Sequence, residues 1–144
     1  MRTLTVALAM TLLLATVVSA QAVVPFFSTS RLYLTEAEFA RAIQPYQRAI
    51  AANARNARAQ YWLGYAYVYA YRQWTAGAAP YASGYLTRAV PPLQEAIKLD
   101  PMMMEAYLAL HDAYQLMGEV AKADEITLLM LQRTRPTWLI KLGP

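Results

Sequence analysis

The sequence predicts an all-α fold, an antiparallel helix-turn-helix repeat array, on three observations. The segment Arg41-Ala42-Ile43-Gln44-Pro45-Tyr46-Gln47-Arg48-Ala49-Ile50 returns as Arg88-Ala89-Val90-Pro91-Pro92-Leu93-Gln94-Glu95-Ala96-Ile97, with Arg, Ala, Pro, Gln, Ala and Ile at matching places. Self-similarity at a fixed offset is the mark of a repeat architecture. Within each copy the apolar residues recur every three or four positions, the period of an amphipathic helix. No stretch alternates apolar and polar residues, and no hairpin dipeptide occurs.

The chain has 144 residues, of which 58% are apolar and 15% charged, a single-domain length and far too apolar for a disordered tail. Part of the excess lies at the start. Met1-Arg2 precede an apolar run over residues 4–18, and Val18-Ser19-Ala20 places small residues where a signal peptidase reads them. Residues 1–20 are therefore predicted to be a secretory signal, cleaved after Ala20, on a protein exported to the periplasm or the exterior. The run is shorter than the roughly 20 residues that cross a bilayer, so retention as an anchor is the weaker alternative, and the mature chain is expected to have no integral span. There is no cysteine, which excludes disulfide staples, thiolate metal sites and thiol catalysis.

Cleavage removes Arg2 and leaves 12 basic side chains against 9 acidic ones. Residues 21–90 hold seven Arg and two Glu, whereas residues 91–144 hold five basic and seven acidic residues. Such an asymmetry can orient a partner or stack copies head to tail. The basic residues are dispersed rather than clustered, which disfavours nucleic acid.

Residues 21–34 read as a degenerate first helix or a linker. Thr35 with Glu38 forms a capping box and opens the first clear helix. A proline costs about 3 kcal/mol deep in a helix and little in its first turn, so the duplicated helices are expected to begin shortly before their prolines, with Thr87 as N-cap of the later one. In the earlier one the capping box places Pro45 deeper and predicts a kink. Helices are expected over residues 56–71 and 102–117. Asp100-Pro101 stops one helix and starts the next, and Gly118 punctuates the last pair.

Leu63-Gly64 followed by Tyr67, then Ala89, Ala96 and Asp100-Pro101, resembles the sparse signature of the tetratricopeptide repeat (TPR) family. Tyr107, Leu110, Tyr114, Gly118 and Ala123 resemble the next copy. The resemblance spans residues 39–135 and implies a short right-handed solenoid, a repeat domain over residues 35–135 with two complete units and one partial one. It departs from the family in three places: residues 72–84 are an insertion, read as a loop from their Gly, Pro and Ser content, His111 stands where a small glycine is usual, and Met130 where an alanine is usual. The apolar tail of residues 136–144, with Trp138-Leu139-Ile140, is expected to fold back over the last helix pair or to enter a partner.

Tyr61, Tyr65, Tyr67, Tyr69 and Tyr71 crowd one helix. Helical geometry aligns Arg58, Tyr61, Tyr65 and Tyr69 on one stripe and sends Leu63, Gly64, Tyr67 and Tyr71 toward another. The family resemblance implies that the first stripe faces the inner, concave surface where ligands lie, with Glu105, Leu108, Asp112 and Gln115 opposite on the next unit. Trp74 and Tyr81 are aromatics within the insertion and are expected to shape a rim of the groove. Family members that grip chaperone tails use Lys and Asn on this face; Tyr61 and Tyr65 replace them here. Tyrosines in a groove suit a peptide or protein surface, and they also stack on sugar rings, with Asp112 and Gln115 as the nearest polar partners for a glycan.

Other chemistry has little support in the residues. His111-Asp112 are helix neighbours that point in different directions, and no serine or cysteine nucleophile pairs with them in a recognisable pattern. A lone histidine without cysteine cannot build a zinc site. The glycines are isolated and follow no strand, so no phosphate loop is expected. Met102-Met103-Met104 reads as a first helical turn packed on the previous unit. The sequence thus predicts a non-enzymatic scaffold without cofactor or metal, binding a peptide segment or a partner subunit, with a glycan-binding module as the alternative. A groove this small points to one subunit of an envelope assembly, with oligomers allowed.

Overall fold

The structure is a computed structural model and describes residues 23–134. The expected signal segment and the apolar tail lie outside the described residues. Among those residues the chain is all-helical. It runs α1 (Glu36–Ala52), α2 (Ala57–Thr75), a 3-10 turn (Pro80–Ala82), α3 (Tyr85–Leu99), α4 (Met104–Leu116) and α5 (Val120–Thr134). Each helix packs on its sequence neighbour, α2 and α3 most extensively, and α2 also meets α4. No helix among the described residues is long and apolar enough to cross a membrane.

The capping box opens α1 as the sequence predicts: Glu38 N donates to Thr35 Oγ1 at 3.2 Å, and Glu38 Oε2 accepts from Thr35 N at 3.2 Å and Leu34 N at 3.1 Å. These bonds occupy amides that the first helical turn leaves without partners. Phe39, Ile43, Tyr46 and Ala49 then recur on one buried face. Pro45 sits as deep as the capping box predicts, and only the start of α3 departs from expectation. Pro45 lies well inside α1, and Pro91-Pro92 lie beyond the first turn of α3, which begins at Tyr85 with Gly84 as N-cap. Thr87 is inside α3, its Oγ1 donating to Gly84 O at 2.8 Å. Pro45 and Pro91 are both exposed, so the carbonyls they leave unpaired face water, which softens the cost of an interior proline.

The duplication continues into the turns. Asn53 Oδ1 accepts from Arg55 N at 3.0 Å and Asn53 O from Asn56 N at 3.0 Å. At the same offset that separates Arg41 from Arg88, Asp100 Oδ1 accepts from Met102 N and Asp100 O from Met103 N, both at 3.1 Å. Each is an Asx-turn that reverses the chain between paired helices. Asn56 then caps α2 by accepting from Ala59 N at 3.0 Å. Of the three methionines after Asp100-Pro101, only Met103 is buried; Met102 and Met104 face outward.

Both α2 and α4 end in a left-handed glycine, Gly77 at φ +80° and Gly118 at φ +77°. At the end of α2 Ala78 N donates to Gln73 O and Gly77 N to Trp74 O, and at the end of α4 Glu119 N donates to Tyr114 O and Gly118 N to Gln115 O, each the paired bonds of a Schellman motif. The helices differ in length, 19 residues against 13. The expected insertion is therefore only partly a loop: residues 72–75 continue α2, and the connection to α3 is a short turn around the 3-10 segment.

Residues 23–34 form no helix. Pro25 and the Ser28-Thr29-Ser30 run favour local turns over helix. The segment lies as a strap on α1 and α2, burying Val24, Phe27 and Tyr33. It adds aromatic bulk to a core built around Phe39, Ile43, Tyr46 and Tyr85. A second core, around Leu86, Leu93, Leu110 and Tyr114, joins α2, α3 and α4.

Gly64 sets how closely α2 approaches α3. A methyl group there would stand 2.5 Å from Leu93 Cγ and 3.0 Å from Ala89 O. Leu93 and Ala89 are wholly buried, so neither can retreat. Gly64→Ala is expected to lower stability by about 1–3 kcal/mol, despite alanine's better helix propensity, as measured by urea unfolding. Gly84→Ala, with open space around it, is expected to stay within about 0.5 kcal/mol of the wild type.

Candidate functional site

A cleft of about 540 Å³ opens between α2 and α4. On the α2 side Tyr61, Tyr65 and Tyr69 succeed one another at four-residue steps, the spacing that puts side chains one above the next along a helix. Glu105, Leu108 and Asp112 line the α4 side. Six of the residues predicted from the sequence thus converge on one concavity.

The remaining four stand elsewhere. Arg58 is exposed one turn before Tyr61, and Gln115 is exposed one turn beyond Asp112; neither lines the cleft. Trp74 packs against Tyr71 at 5.1 Å between ring centroids. Tyr81 belongs to the first core, 6.1 Å from Phe39 and 5.6 Å from Tyr85, its hydroxyl donating to Tyr33 O at 2.7 Å. Trp74 packs on the end of α2 and Tyr81 on the strap, and neither lines the cleft.

Three lining residues were missed, Val68, Ala109 and Arg72. Arg72 matters most. Its Nε donates to Asp112 Oδ2 at 3.2 Å and its Nη2 to Asp112 Oδ1 at 2.5 Å, a two-pronged pair that bridges the helices. The signal was present, because Arg72 follows Tyr69 by three residues on the same stripe. Ending the helix at Tyr71 hid it.

The cleft has unlike ends. At one, the Arg72–Asp112 pair joins the walls. At the other, two helical turns or about 10 Å away along α4, stands Glu105, exposed and next to Tyr61. Burial, reinforced by the Tyr65 hydroxyl and the Glu105 carboxylate and opposed by Arg58, pushes the Tyr61 hydroxyl up to about 12. Between the ends the surface is Leu108, Val68 and Ala109 against tyrosine rings.

The strap uses the same tyrosines from the other side. Phe27 lies 6.5 Å from the Tyr65 ring and 5.7 Å from the Tyr69 ring, edge-on to both. Tyr69 OH donates to Thr29 O at 2.5 Å and Arg31 O at 3.2 Å. The buried Gln73 amide reads the backbone two residues apart, accepting from Tyr33 N at 3.0 Å and donating to Arg31 O at 2.9 Å. These are main-chain contacts, indifferent to side-chain identity at Thr29 and Arg31.

His111 faces a separate recess between α4 and α5. Its Nδ1 lies 3.0 Å from Ala123 O and 2.9 Å from Thr127 Oγ1, and Thr127 Oγ1 also donates to Ala123 O at 3.2 Å. The neighbouring Asp112 carboxylate is engaged by Arg72 on the other face of α4. His111 and Asp112 therefore act on different surfaces, and the imidazole ties α5 to α4. No group of three or more His, Cys, Asp or Glu side chains able to hold a metal ion occurs among the described residues. No protein-family model matches the chain, and no curated protein does.

Two outcomes are expected. Gln73→Ala strands the Tyr33 amide, while the Arg31 carbonyl keeps the Tyr69 hydroxyl, and should cost about 1–3 kcal/mol, with hydrogen exchange at the Tyr33 amide accelerating more than at Leu93. The second concerns alkali. Tyr46, Tyr61, Tyr81 and Tyr85 are pushed by burial from 10.0 up to about 12. The unfolded chain loses these protons first, so their contribution is complete below pH 10.0 and is lost as pH rises toward about 12. Urea midpoints should be flat up to the lower limit and fall steeply above it, with tyrosinate absorbance rising at the unfolding step.

Proposed function

We propose that this chain is an exported, non-enzymatic scaffold of the tetratricopeptide type, which holds an extended peptide segment of a partner protein in the cleft between α2 and α4. One observation carries the reading: the chain already holds a non-helical segment of itself against α2, through the Tyr69 hydroxyl and the Gln73 amide directed at main-chain groups. The cleft presents the free side of the same tyrosines. Peptide recognition of this kind needs aromatic area, a few polar tips and an open groove, and Tyr61, Tyr65, Tyr69 and Leu108 supply them.

The tetratricopeptide reading draws support from the order of packing. Paired helices alternate with short turns, α2 reaches past α3 to α4, and Gly64 and Ala89 sit where helices cross closely. In this reading α2 with α3, and α4 with α5, are the two units, and the strap with α1 replaces a third. The small apolar leader followed by Val18-Ser19-Ala20 supports export, and the absence of cysteine leaves packing alone to stabilise the exported domain. A groove this small suits one subunit of a larger envelope assembly.

Leu108→Asp tests the site. Leu108 is 52% exposed, so the change places a charge on the cleft wall with an expected cost below about 1 kcal/mol. Partner capture from an exported-protein fraction should fall at least about tenfold while the far-ultraviolet dichroism and thermal midpoint hold. Unchanged capture by Leu108→Asp would remove the cleft from the interaction. Retardation on a polysaccharide column, with no protein captured, would replace this reading by the glycan-binding one.

A further inference from the structure

Among the described residues a cation lies over a tyrosine ring with a carboxylate near the ring or the cation at three places. Arg31 lies over the Tyr33 ring at 5.6 Å with Glu38 at 4.0 Å from the guanidinium. Lys122 lies over Tyr114 at 5.5 Å and pairs with Glu119. Arg88 lies over Tyr85 at 5.0 Å, and the Tyr85 hydroxyl donates to Glu36 at 3.2 Å. In the first two a ring face and a carboxylate attract the same cation from two sides, and each attraction strengthens where water is partly excluded.

The open end of the cleft has two members of such a trio. Tyr61 and Tyr65 stand ring to ring at 5.8 Å, with Glu105 beside Tyr61. Among the described residues Glu105 has no hydrogen bond or ion pair. At the Tyr61 hydroxyl its field outweighs that of Arg58. At the far end Arg72 is committed to Asp112, so the cleft keeps one carboxylate in excess. An acidic ligand would meet that excess unfavourably.

Resting on the peptide-binding reading, we infer that the cleft selects a peptide carrying an arginine or lysine side chain, whose stem lies along Leu108 and whose cationic head seats between the tyrosine rings and Glu105. Long basic side chains bury an aliphatic stem while the head stays polar, and the wall between Glu105 and Asp112 is apolar along Leu108, Val68 and Ala109. The inference fixes the class of partner segment: extended, basic at one position and apolar beside it.

The test uses the purified chain and two fluorescein-labelled heptapeptide pools with identical degenerate flanks, one with arginine at the centre and the other with citrulline, which has the same shape without the charge. Fluorescence anisotropy should show the arginine pool binding about tenfold tighter, the gap closing in Glu105→Gln and narrowing as NaCl rises from about 50 to about 500 mM. Glu105 is exposed, so Glu105→Gln threatens no packing, and unchanged dichroism confirms this. Equal binding of both pools, lost in Leu108→Asp, overturns the cationic preference and leaves the peptide cleft standing. A preference that survives Glu105→Gln places the cation elsewhere and also overturns the inference. Failure of both pools to bind overturns it together with the peptide reading.

Discussion

The approach of α2 to α3 at Gly64 is the contact on which the rest of this fold depends. With no side chain at Gly64, Leu93 and the Ala89 backbone come within a distance that any Cβ would prohibit. Helix pairs are usually held 8–10 Å apart by their side chains; a glycine with alanines around it brings them closer. That approach fixes the rotation of α2 about its own axis. Gly64 and Tyr67 turn toward α3, with Tyr67 edge-on to Tyr85 at 5.2 Å, and the stripe Tyr61, Tyr65 and Tyr69 is left facing α4 and the strap. The site is thus oriented by a residue that takes no part in it.

Because α2 is enclosed on several sides, its tyrosines serve packing and surface together. Tyr61 is nearly buried yet lines the cleft. Tyr69 gives its hydroxyl to the strap and its ring edge to Phe27 while still lining the same cavity. An aromatic ring with a polar tip can satisfy both demands at low entropic cost. This explains why the richest helix in tyrosine is also the most central.

What was legible in the sequence was local. The Thr35–Glu38 box, the Asp100-Pro101 turn and the stop at Gly118 each depend on residues a few positions apart, and so does the alignment of Tyr61, Tyr65 and Tyr69. The strap depends on bonds between Tyr33 and a glutamine 40 residues away, which no periodicity announces. Thr87 was expected to cap α3 because an interior proline is costly. The exposure of Pro91 removes much of that cost, and only the tertiary structure tells which side of a helix meets water. Tyr81 looked like a loop aromatic because the Gly- and Pro-rich window concealed how firmly the turn docks on Phe39 and Tyr85.

The length of α2 connects these misreadings to the site. Laid on α4 from their matching starts, α2 runs 19 residues against 13, and the extra residues are 70–75. Within that extension Arg72 closes one end of the cleft by pairing with Asp112, and Gln73 fastens the strap. A helix that stopped where α4 does would have neither. The extension also carries Gly77 outward, which is why the connection to α3 needs the 3-10 turn and Tyr81 to bring the chain back. The first part of what reads in the sequence as an inserted loop is, in physical terms, a lengthened helix whose added residues shape the cleft with Arg72 and hold the strap with Gln73.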